Sequence, residues 1–119
     1  MLMIALLLAA AAPVGPAQAD AEAQAGTDYA AADAAMTVQY RAAMARMRTR
    51  DAPAPPGVPV PPSFANSLLQ AQRAWLPFRD SECLAEAFAY RGQAPAVVDT
   101  QCKTRLTVER TRQLRAFAQ

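Results

Sequence analysis

Apolar side chains recur at the three-, four- and seven-residue steps of an α-helix in three stretches of the chain. In the first, residues 29–50, alanine is abundant and Tyr29, Met36, Tyr40, Met44 and Met47 mark one face. Thr27 or Asp28 is placed to cap its start, and Arg46, Arg48 and Arg50 suit the negative end of its dipole. The second stretch follows Ser63, a good N-cap, and carries Leu69, Gln72, Leu76, Arg79, Cys83, Ala87 and Tyr90 on one face. Pro77 lacks an N–H and crowds the carbonyl of Arg73, which predicts a kink over residues 73–76. Arg91 and Gly92 are expected to end this helix, with Gly92 in the left-handed conformation. Pro95 is acceptable in the first turn of a third helix, along which Val98, Cys102, Leu106, Glu109, Gln113 and Phe117 continue towards the C-terminus. The pattern predicts an all-α fold, a small antiparallel helical bundle made of a disulfide-linked hairpin and one upstream helix.

The stretches between helices carry different signals. Residues 51–62 read DAPAPPGVPVPP, with too many prolines for a helix and too few donors for a central strand, and are expected to form an extended proline-rich linker. A recognition motif for proline-binding modules is the alternative there. Residues 20–26 are small and polar and are expected to form a flexible tail. Residues 1–12 are almost wholly apolar, Pro13, Gly15 and Pro16 break the run, and Ala17, Gln18, Ala19 form a small-x-small pattern. This is the signature of a signal peptide over residues 1–19. The run is shorter than the roughly 20 apolar residues of a spanning helix, so the expectation is a soluble protein exported to the periplasm or medium, with no stable membrane insertion after cleavage. No cysteine near the cleavage point invites a lipid anchor. The domain itself is placed at residues 27–119.

Export changes the reading of Cys83 and Cys102, because an oxidising compartment lets a pair form a lasting disulfide. Two free buried thiols are the alternative, and a redox site of the C-x-x-C kind does not fit 18 intervening residues. The cysteines lie nine residues before and ten after Gly92. In an antiparallel hairpin turning there they stand level, which supports both the bond and the hairpin. The same register sets Trp75 opposite Arg110, Arg79 opposite Leu106 and Glu82 opposite Lys103. Arg79 and Glu109 are offset by about 4.5 Å at 1.5 Å per residue, and they are expected to pair beneath Trp75.

Composition narrows the chemistry. The chain has 119 residues and no histidine, so the commonest general base and metal ligand are missing, and two cysteines cannot complete a zinc site. A net charge of +2, from 12 basic and 10 acidic side chains, is too balanced for a strong nucleic-acid binder. Arg79, Asp80 and Glu109 could form an acid/base cluster, but without a nucleophile or ligand set they read as a salt-bridge network between packed helices. No catalytic residue, metal or cofactor is expected.

The sequence AQRAWLPFRDSEC, followed by Cys102 and RLTVERTRQL, resembles the LprI-type lysozyme-inhibitor domain. The residues that carry the resemblance include Gln72, Arg73, Trp75, Phe78, Arg79, Asp80, Glu82 and Cys83, then Leu106, Thr107, Glu109, Arg110, Thr111 and Leu114. It covers residues 63–117, and Asp33 and Tyr40 are similar to the upstream segment with less specificity. The resemblance implies a small exported helical protein that binds and inhibits lysozyme without catalysis. Upstream cysteines found in many members are absent here, and Pro77 stands where a helix former is usual.

Three function classes follow. One is a protein that binds lysozyme; the second is a generic periplasmic interaction or structural protein; an enzyme is the third. A common lysozyme is strongly cationic, and Lys103, Arg105, Arg110, Arg112 and Arg115 crowd the third helix, so like charges oppose encounter unless an acidic patch faces the partner. With helix faces committed to core, partner contact is expected at Arg91, Gly92 and Gln93 or along the proline linker.

Overall fold

The computed structural model describes residues 15–51, 53, 55–59 and 63–119. The apolar leader over residues 1–12 and parts of the proline linker lie outside the described residues. Three helices, α1 (Pro16–Arg50), α2 (Phe64–Ala89) and α3 (Pro95–Ala118), make an all-α bundle. No strand occurs among the described residues.

Helix α1 starts well before the expected position, and residues 20–26 are helical where the sequence reading placed a flexible tail. The cause is local. Gly15 is extended (φ −68°, ψ 159°) and Pro16 occupies the first helical turn, where its missing N–H costs nothing. Alanine-rich sequence then propagates the helix. Gln18 Nε2 donates to Glu22 Oε1 (3.1 Å) and Gln24 Nε2 to Asp28 Oδ1 (2.8 Å), both at the four-residue spacing that faces along a helix. Thr27 and Asp28 are therefore interior residues and not caps; the Thr27 hydroxyl donates to the Ala23 carbonyl. Ala25 is buried, and the first turns of α1 border a groove with Gln93, Ala94 and Val97. The expected cleavage point after Ala19 falls inside this helix.

At the far end, Arg46 Nε donates to the Gln119 carbonyl at 3.3 Å. Helices α1 and α3 therefore run parallel, packed along each other, and α2 runs antiparallel to both. Met36, Ala43, Met44, Met47, Leu68 and Leu114 form the core between the three, with Tyr40, Leu69, Trp75 and Leu76 around it. The methionines recur at helical spacing and fill the irregular space between helices of unequal length.

Asp51 closes the linker. It receives hydrogen bonds from the N–H groups of Phe64 (2.6 Å) and Ala65 (2.9 Å) and from the Ser63 hydroxyl (3.0 Å), while Ser63 Oγ accepts from Asn66 N–H. Two residues thus satisfy three of the free N–H groups at the start of α2. Between them the Val58 N–H bonds the Pro55 carbonyl (3.1 Å), with Gly57 at φ 83°, the type II turn that a Pro-Gly pair favours.

Helix α2 continues through Pro77 as one element and ends at Ala89, earlier than expected. Tyr90 is extended at the C-cap, and its N–H still reaches the Glu86 carbonyl. Gly92 does not take the left-handed conformation; among the described residues only Gly57 has a positive φ. Its use is spatial, because a Cβ there would lie 3.3 Å from the Tyr90 ring.

Candidate functional site

Cys83 and Cys102 are bonded, with Cα atoms 5.4 Å apart and both side chains fully buried. Two positions equidistant from the turn can meet in this way only if α2 and α3 pack side by side from the turn onward. The bond fixes their register, and Arg79 lies one helical turn further along α2.

Arg79 is buried, 6% exposed, at the junction of all three helices. Its Nε donates to Asp80 Oδ1 (3.0 Å) and its NH1 nitrogen to Thr107 Oγ1 (3.3 Å), with Asp33 Oδ1 of α1 at 3.8 Å. The rings of Tyr29 and Trp75 both lie 5.3 Å from the guanidinium carbon. One side chain therefore binds α1 through charge and aromatic contact and α3 through a hydroxyl. Burial raises the Tyr29 hydroxyl above the ordinary tyrosine range, against the opposing pull of the Arg79 charge. The phenol stays neutral at physiological pH.

Arg110 is the second buried arginine. Its Nε donates to Gln72 Oε1 (2.9 Å) and its NH1 nitrogen to Gln113 Oε1 (3.1 Å), and its guanidinium lies 5.9 Å from the Trp75 ring centre. The NH2 nitrogen is buried without a hydrogen-bond partner among the described residues. Burial lowers the pKa of this arginine. Gln72 is itself buried, and its amide nitrogen contacts the Met36 sulfur at 3.6 Å.

The expected pair between Arg79 and Glu109 does not form. Two residues beyond buried Thr107, Glu109 has turned about 200° around α3 at 100° per residue, and it pairs with Arg112 on the exposed side. Lys103 likewise pairs with Asp99 (2.7 Å), its neighbour on the same helix, and not with Glu82. Trp75 opposite Arg110 is as the register predicts. Sequence reasoning missed Tyr29, Asp33 and Thr107 as the partners of Arg79, and Gln72 as the partner of Arg110. A hairpin register orders α2 against α3 and carries no information on how α1 is rotated.

Arg79 directs its Nε and NH1 donors to groups inside the bundle, so the junction works as a brace. Among the described residues no group of three or more potential metal-ligating side chains comes together. The turn between α2 and α3 has the opposite character. Arg91, Gly92 and Gln93 are exposed there, and so are Leu84, Tyr90 and Phe88, the last 75% exposed. Glu86, Tyr90, Gln93, Val98 and Gln101 line a shallow groove of about 180 Å³ beside it. Arg105 forms one wall, held by Glu86 at 2.6 Å. The last turns of α2 and the turn after it thus carry large apolar side chains that the bundle leaves uncovered, together with residues able to hydrogen-bond a partner, so this helix face is not committed to core as the sequence reading expected.

The sequence profile of the family described as "Lysozyme inhibitor LprI" matches residues 9–114. A protein of Rhizobium meliloti (strain 1021) described as uncharacterized is 34% identical over 100 residues, covering 82% of this chain and 71% of its own length. No solved structure matches. Among the described residues no helix is long and apolar enough to cross a membrane.

Proposed function

Since the chain belongs to the LprI lysozyme-inhibitor family, we propose that it is exported and that it binds and inhibits a lysozyme without catalysing a reaction. Family membership over nearly the whole chain carries this reading. The geometry around Arg79 supports it, since the three charged side chains that could suggest acid/base chemistry do not converge: Arg79 and Asp80 pair at the junction, where Arg79 links the helices, and Glu109 pairs with Arg112 on the exposed side of α3. The leader over residues 1–19 supports export to the periplasm or medium. The exposed turn at Arg91, Gly92 and Gln93, or the proline linker, is the proposed region of contact.

The test is a lysis assay in which purified disulfide-bonded protein is titrated into a lysozyme acting on bacterial cell walls. Stalled lysis with a saturable dose response, matched by direct binding in calorimetry, is expected. Undiminished lysis at high micromolar protein would leave a generic envelope interaction protein as the better description.

A further inference from the structure

The charges of the chain are nearly balanced in number and are segregated in space. Asp33, Tyr29, Arg79 and Thr107 meet at one level of the bundle. From that level to the α2–α3 turn lie four carboxylates of α1 (residues 20–33), three of α2 (residues 80–86) and Asp99. Against these eight stand only the basic side chains Arg79, Arg91, Lys103 and Arg105, a side-chain net of −4. The other half, towards the proline linker, holds Asp51 and Glu109 against eight arginines, a net of +6. The overall +2 is the sum of two opposed ends.

Ion pairing sharpens the contrast. Arg79, Lys103 and Arg105 are each paired with acids within the turn half. Asp20, Glu22, Asp28 and Glu82 form no ion pair among the described residues, and Arg91 is the only basic side chain left to oppose them there. The same end exposes Leu84, Phe88 and Tyr90. Large exposed apolar side chains on an end that carries net charge of one sign are the arrangement of a protein interface, in which aromatic anchors supply affinity and the net charge supplies steering.

We infer that the turn end of the bundle, with Leu84, Phe88 and Tyr90 as anchors on its net acidic half, is the surface that receives a cationic protein. The identity of that protein as a lysozyme rests on the function proposed above; the choice of this end over the proline linker rests on charge. A lysozyme approaching the linker end meets seven exposed arginines, while one approaching the turn end meets a field of opposite sign. The like-charge objection raised by the composition therefore applies to one half of the molecule only.

The experiment uses a cationic c-type lysozyme as probe and measures association rate, dissociation rate and inhibition together. Phe88→Ser is expected to raise the inhibition constant at least tenfold, chiefly through faster dissociation. The triple variant Glu22→Gln, Asp28→Asn, Glu82→Gln should slow association about tenfold at low salt, with the difference vanishing near 0.5 M salt. The matched triple variant Arg41→Gln, Arg48→Gln, Arg115→Gln should leave association unchanged or faster. Circular dichroism and melting temperature confirm that each variant is folded. If the parent inhibits and the turn-end variants inhibit equally well, this surface assignment is wrong while the proposed function stands. Absence of binding by the parent overturns both. Low-salt assembly of the protein alone into chains that the acidic-end variant abolishes would make a second copy the occupant, and would also overturn the assignment.

Discussion

The two buried arginines face the same tryptophan and are treated differently by the fold. Around Arg79 the neighbours are two carboxylates, a buried hydroxyl and two aromatic faces, and the carboxylates of Asp33 and Asp80 are themselves half exposed. Its charge is thereby connected to solvent through groups that stay hydrated. Around Arg110 the polar neighbours are two neutral amides, and one guanidinium nitrogen has no partner among the described residues. Burying a charge stabilises a structure only where its donors are met and its partner is itself not stranded. By that criterion Arg79 is a brace, and Arg110 is held in place by the helices that the brace assembles.

The largest effect expected lies next to the brace. The double variant Cys83→Ser, Cys102→Ser should lose about 3 kcal/mol in urea unfolding, because a bond closing a loop of this size restricts the unfolded chain. Of the two arginine sites, that of Arg79 should loosen first, since the bond sits one turn from it on α2. Hydrogen exchange comparing the amides around Thr107 with those around Leu114 checks this. Equal loss of protection at both would remove the distinction between the two sites.

Arg79→Met comes next. It keeps the bulk and deletes the charge, so it should cost about 2 kcal/mol by leaving the Thr107 hydroxyl without its donor and removing the link to α1. The stranded carboxylates add little because water reaches them. Arg110→Met alone should cost about 1 kcal/mol, because the Gln72 oxygen is then buried without a donor. Replacing both ends of that contact, in Gln72→Leu with Arg110→Met, should restore the parent stability or exceed it. A double variant that loses as much as the two singles together would show that Arg110 is as well satisfied as Arg79 and would break the comparison.

How much of this was legible in the sequence follows from the range of each signal. Cys83 and Cys102 stand nearly level about Gly92, so the hairpin and its bond could be derived from spacing, and Trp75 meets Arg110 where that register puts them. Arg79 was legible as an inward-facing charge and illegible in its partner. Asp33 lies 46 residues upstream on a helix whose rotation no local pattern fixes, and Glu109 has the right height on α3 but the wrong face. Residues 20–26 read as a tail because they lack large apolar groups; alanine propensity and the packing of Ala25 decide otherwise. The separation of charge into two ends depends on the parallel course of α1 and α3, which the sequence does not state.

The smallest effect concerns the linker end, where among the described residues no covalent bond closes the bundle and Asp51, with Ser63, ties the end of α1 to the start of α2. Hydrogen bonds from the N–H of Ala65 first, and also from Phe64 and the Ser63 hydroxyl, hold its carboxyl below the ordinary aspartate value, partly offset by desolvation. A carboxyl whose folded pKa lies below its unfolded value contributes stability that is present in full above the unfolded pKa of about 3.9 and is lost as pH falls through the folded value. Acidification below about pH 4 should therefore release the start of α2 while leaving the disulfide-closed end intact. The Phe64 and Ala65 amide resonances should shift together in this range and lose protection from exchange, whereas amides near Cys83 should not. In Asp51→Asn, the linker-end transition should disappear, because an amide keeps an acceptor oxygen and does not titrate. A transition that persists in that variant would mean that another carboxylate governs the acid response of this end.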